Sequence, residues 1–136
     1  MYIIFALLSA LTAALVAIFG KIGLSKVDTT LATAIRSVVM ATLLVLAALL
    51  LKKWDFSQIE NKAYLFIFLS GIAGAASWLF YFLALKFGPA TTVVAIDRLS
   101  VVFVIVLATI FLGESLTAKT VLGGILIVLG ALLLIK

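Results

Sequence analysis

Long apolar runs separated by short polar breaks organise the chain. Residues 1–20 and 63–85 carry no charge, 29–51 carry only Arg36, 90–112 carry the adjacent pair Asp97–Arg98, and 118–135 carry only Lys119. A helix crosses the hydrocarbon core of a bilayer with roughly 20 mostly apolar residues. The pattern therefore predicts five transmembrane helices, at about 1–21, 29–51, 63–86, 90–112 and 118–135. The runs are continuous and do not alternate, which excludes lipid-facing barrel strands. The first run begins Met-Tyr-Ile-Ile, lacks a basic leader and is longer than a signal-peptide core, so it is expected to stay in the mature protein. The breaks carry helix punctuation. Asp28, Asn61 and Thr117 are predicted N-caps, Gly88-Pro89 separates the third and fourth helices, and Gly113 follows the fourth. The longest break, 52–62, holds Trp54 and Phe56 as interface anchors.

Composition agrees with a lipid solvent. Of 136 residues 67% are apolar and 11% charged, with mean hydropathy +1.46. A soluble domain is about 45–50% apolar and about 25% charged. A soluble enzyme, a disordered tail and a nucleic-acid-binding domain are thereby excluded. One domain is expected from the length. The net charge of +5 comes from ten basic against five acidic residues. Lys21, Lys26, Lys52, Lys53, Lys62 and Lys86 lie in or beside the breaks, with Lys119 and Lys136 at the ends of the last run. They read as membrane-edge anchors. The absence of Cys and His removes disulfides, thiol chemistry, zinc sites and His-based acid–base catalysis. No enzyme activity, cofactor or metal is expected. A multi-pass protein of a prokaryotic cytoplasmic membrane is the default location.

Five helices put the termini on opposite sides. Lys52, Lys53, Lys62 and Lys119 then share one side, and Lys21, Lys26, Lys86 and Lys136 the other, four against four. Orientation normally follows a Lys/Arg imbalance. Either a partner or the order of translocation sets one orientation, or the chain inserts both ways and forms an antiparallel dimer.

Charges inside the bilayer cost about 2.5–3.5 kcal/mol each at a helix centre and usually face a cavity or partner. Arg36 and Asp97 each lie about seven residues into helices that start on the same side, at a depth of roughly 10 Å. Arg98 is one residue deeper. The third helix ends on that side and brings Ser77, Trp78 and Tyr81 into the slab, where Ser37 and Ser100 join them. Consecutive helical residues point about 100° apart, so Asp97 and Arg98 face different ways. Two arrangements fit: an Arg36–Asp97 ion pair joining two helices, or a substrate site of Arg36, Asp97, Arg98, Trp78, Tyr81 and Ser100. In the second, an Arg holds an anionic group and Asp97 handles an amine or a proton. Trp78 and Tyr81 either stack on substrate or serve packing. Small residues supply close helix approach: Ser9 with Ala13, Gly71 with Ala75, and Gly123, Gly124 and Gly130 in the last helix. That last helix is the candidate dimer helix.

In its last third the chain resembles the EamA domain of the drug/metabolite transporter superfamily. The resemblance rests on Gly88-Pro89-Ala90, on Phe111-Leu112-Gly113-Glu114-Ser115-Leu116-Thr117, and on Gly123, Gly124 and Gly130. Phe19-Gly20-Lys21 and Arg36 extend it over nearly the whole chain. It implies half of a ten-helix inverted-repeat transporter, completed by a second copy or a similar five-helix partner, with a substrate path near mid-membrane. Many such domains carry a Pro thirteen residues before the Glu that is here Glu114; that position is Val101, preceded by Asp97-Arg98-Leu99-Ser100. Glu114 and Thr117 match the loop motif and are expected to cap a helix junction.

The expected function is a small-molecule secondary transporter or exporter acting as a dimer, with an amino acid or a carboxylate- or phosphate-bearing metabolite as substrate. The alternatives are a proton-coupled drug exporter, a carrier of lipid-linked metabolites and a non-transporting scaffold subunit. The four-helix multidrug pumps are a poorer match, because the first helix has no carboxylate.

Overall fold

The computed structural model describes residues 1–56 and 59–135. Among them the secondary structure is helical: α1 (Tyr2–Gly23), α2 (Thr29–Leu50), α3 (Asn61–Phe87), α4 (Ala90–Asp97), α5 (Ser100–Phe111) and α6 (Ala118–Leu134). Four stretches are long and apolar enough to cross a membrane: α1, α2, α3 and the combined Ala90–Phe111. The protein is an integral, multi-pass membrane protein. At 17 residues, α6 is about 26 Å long and falls slightly short of a core of about 30 Å. Local thinning of the bilayer absorbs such a deficit.

The helix ends follow local chemistry. Asp28 caps α2, its carboxylate accepting from Thr30 N at 2.9 Å and Leu31 N at 3.1 Å. Thr117 Oγ1 caps α6, accepting from Thr120 N at 3.2 Å. Asn61, expected as a cap, is instead the first residue of α3. The carbonyl of Glu60 receives Ala63 N and Tyr64 N there, at 2.9 and 3.2 Å. Gly113 has φ 67°, and its left-handed turn returns the Glu114 amide to Ala108 O at 3.3 Å. At the end of α2 the same task falls to Lys52, with φ 54°. Lys52 N bonds Leu49 O at 3.0 Å and Lys53 N bonds Ala48 O at 2.9 Å, a Schellman closure with a side chain where Gly is usual.

The span expected at 90–112 contains a turn. Arg98 and Leu99 have φ/ψ of −66°/−13° and −63°/−16°. Leu99 N reaches Ile96 O at 2.9 Å, Val101 N reaches Arg98 O at 3.1 Å and Val102 N reaches Leu99 O at 2.9 Å. These three-residue closures are 3₁₀ geometry and separate α4 from α5. The turn lies in the residues just before Val101, where a Pro would have removed the bond to Asp97 O. Here the Val101 amide goes to Arg98 O without a Pro.

Two compact units divide the chain, Phe19–Lys86 and Met1–Ile18 with Phe87–Lys136. In the first, α3 closes on the end of α1: a Cβ at Gly20 would lie 3.3 Å from the Phe82 ring, so Gly allows the approach. In the second, α4 and α5 both pack on α6. Gly124 is buried there, and a Cβ on it would lie 3.3 Å from Ile105 Cδ1. Gly71, Gly123 and Gly130 have open space at the same position.

Candidate functional site

Arg36, Trp78 and Tyr81 come together in the unit Phe19–Lys86. The Arg36 guanidinium carbon lies 3.5 Å from the centroid of the Trp78 ring. It also lies 5.5 Å from Phe82. Tyr81 meets Trp78 edge-to-face at 5.5 Å, and Trp78 meets Phe82 at 5.9 Å. Trp78 and Phe82 are four apart on α3 and share a face; that spacing was the signal by which Phe82 could have been added to the expected set. Ser37, one residue on, directs its hydroxyl to Thr33 O at 2.8 Å and is thereby engaged by its own helix.

The energetics leave the guanidinium incompletely satisfied. A desolvated cation–π contact contributes about 2 kcal/mol, against the roughly 2.5–3.5 kcal/mol that a central Arg costs. Nη1 of Arg36 is buried and has no hydrogen-bond partner among the described residues. The contact with the Trp78 ring uses no N–H···O bond, so the N–H donors of Nη1 remain available. A guanidinium suits the paired oxygens of a carboxylate or phosphate.

Asp97, Arg98 and Ser100 belong to the other unit, at the turn between α4 and α5. Asp97 is half-buried, whereas Arg98 and Ser100 are exposed. Thr92 Oγ1 fixes the start of α4 to the end of α6 through Leu134 O at 3.1 Å. The expected Arg36–Asp97 ion pair and the expected shared site each draw on both units, so neither is a property of one unit alone. Among the described residues no cluster of three acidic, His or Cys side chains gathers that could hold a metal.

The EamA-like transporter family matches residues 1–136. The chain belongs to that family. A relative from Sinorhizobium sp, described as "Uncharacterized transporter in cobO 3'region", is 44% identical over 130 residues, 95% of this chain and 92% of the relative. No solved structure matches. Membership in the EamA-like family and the name of this relative support a transporter role and speak against an enzyme.

Proposed function

We propose that this EamA-like protein is a small-molecule secondary transporter or exporter that works as an antiparallel dimer. Its substrate is an amino acid or another carboxylate- or phosphate-bearing metabolite, and the residues proposed to contact it are Arg36 with Trp78 and Tyr81 in one unit and Asp97, Arg98 and Ser100 in the other. The observation that carries this reading is the Arg36 guanidinium, 3.5 Å from the Trp78 ring centroid, with Nη1 buried and unbonded. An anion arriving there supplies the missing acceptor. The dimer is supported by the open faces at Gly123 and Gly130 on α6 and by the even tally of membrane-edge lysines. In an antiparallel pair, two polar layers each about 10 Å deep in a core of about 30 Å lie roughly 10 Å apart, a span that one small metabolite bridges.

The test is uptake into liposomes containing the purified protein, screened over amino acids and organic acids. The wild type is expected to move at least one carboxylate-bearing solute. Arg36→Lys, which keeps the charge and loses the planar fork, is expected to lower transport about tenfold or more. Arg98→Ala is expected to abolish it while insertion and dimerisation persist. Unaltered transport in both variants overturns the site. A wild type that moves no solute overturns the transporter reading and favours a scaffold subunit. Asp97→Asn reports on proton coupling: transport that remains dependent on the pH gradient excludes Asp97 as the proton carrier.

A further inference from the structure

A second polar locus lies at the membrane edge, within the unit Phe19–Lys86 and apart from Arg36. A cavity of about 270 Å³ is lined by Lys21, Leu24, Ser25, Leu85 and Lys86. It sits where α1 ends, the α1–α2 turn begins and α3 ends. Both lysines are held by backbone. Lys21 Nζ donates to Leu85 O at 2.5 Å and reaches Lys86 O at 3.5 Å. Lys86 Nζ donates to Val27 O at 3.3 Å. These bonds tie both ammonium groups to backbone carbonyls, Lys21 in a half-buried position and Lys86 in an exposed one. No acidic side chain lines the cavity. The neighbouring acid, Asp28, interacts electrostatically with Lys86 and caps α2 through Thr30 N and Leu31 N, but it lies outside the cavity lining. Lys26, next to Ser25 in the turn, adds a third positive charge. Beneath the lysines, Leu24 and Leu85 are buried and make the floor apolar.

We propose that this cavity is a binding site for a phosphate group, with Lys21 and Lys86 as its charges and Ser25 as a hydroxyl donor. Compact ammonium charges suit phosphate as point partners. The ends of membrane spans lie at the depth of lipid headgroups, where anionic lipid attracts lysines. An apolar floor beneath the charges matches a headgroup whose glycerol and acyl chains continue into the membrane. Free phosphate presents the same oxygens without the tail.

The experiment follows thermal unfolding of the full-length protein by far-UV circular dichroism in a neutral detergent. Short-chain phosphatidylglycerol, short-chain phosphatidylcholine and inorganic phosphate are titrated separately. A ligand that binds the folded state raises the melting temperature saturably. Phosphatidylglycerol is expected to do so, with phosphatidylcholine about tenfold weaker because its choline carries an opposing charge. Stabilisation by phosphatidylglycerol alone identifies the lipid headgroup as the source. An equal effect of inorganic phosphate identifies a free phosphate. Ser25→Glu places a carboxylate in the cavity, where it competes with phosphate for the two ammonium groups. It is expected to weaken the response about tenfold or more. Lys86→Gln is expected to weaken the response in the same way and carries the test if Ser25→Glu does not fold. No saturable rise with either phosphate source, or equal responses in wild type and variants, overturns the site.

Discussion

At the scale of the residue, the backbone of Lys52 carries a steric penalty at the end of α2. Its φ of 54° puts an L-residue in the left-handed region, where Cβ crowding costs roughly 1–2 kcal/mol. Lys52→Gly relieves this and loses part of the gain to the greater freedom of Gly in the unfolded chain. A net stabilisation of about 0.5–1 kcal/mol is expected, measured by reversible unfolding in mixed detergent. Asp28 makes a different prediction. The Leu31 amide is the chief cause holding its carboxyl below the ordinary 3.8, with Thr30 N and Lys86 acting in the same direction and desolvation opposing them. A depressed folded pKa means that the stabilisation is complete above the unfolded value and is lost as pH falls through the folded one. Melting temperature should therefore drop below about pH 4. In Asp28→Asn, which keeps an acceptor for the α2 amides, that drop should be smaller.

At the scale of the element, α6 presents two kinds of glycine. Gly124 is buried and faces Ile105 at 3.3 Å from a would-be Cβ, whereas Gly130 meets open space. Gly124→Val should cost about 1–3 kcal/mol by overpacking against α5. Gly130→Ala should be neutral or stabilise α6 by up to about 1 kcal/mol in a monomer. A loss of dimer signal by crosslinking in Gly130→Leu, with helicity intact, would assign that open face to the partner; retention of the dimer would place the interface elsewhere. The spacing of Gly123 and Gly130 was legible in the sequence, but the role of Gly124 was not. Three glycines in eight residues look alike until the position of α5 decides which of them is approached. The turn at Arg98–Leu99 was likewise invisible, because neither Gly nor Pro marks it and the apolar pattern runs through it without interruption.

At the scale of the whole molecule, orientation in the membrane is the deciding question. Lysines divide four against four across the predicted sides, so electrostatics supplies little preference. Ser57→Cys introduces the sole thiol, in the longest sequence-predicted loop. Ser57 lies outside the described residues, and the experiment needs only its place in the chain order. A membrane-impermeant maleimide should label comparable fractions from outside sealed cells and, after inversion, from within. Labelling from one side only would rule out dual insertion and direct the search to a similar partner of opposite orientation.

The helical class, the caps Asp28 and Thr117 and the membrane location followed from the sequence alone. Each depends on interactions within a few residues of chain, or on the transfer of a continuous apolar run into lipid. Arg36 also stood out, because a charge at depth is conspicuous in any apolar run. Its contact with Trp78, the second ring contact with Phe82 and the unbonded Nη1 were decided only when α2 and α3 met. The carbonyl-held lysines at the membrane edge belong to the same class. Lys21 and the carbonyl it binds at Leu85 are 64 residues apart, and hydropathy has no means of pairing them. Distance along the chain is the physical divide: local propensity and lipid transfer are written residue by residue, whereas the chemistry of a site depends on which helix faces come into contact.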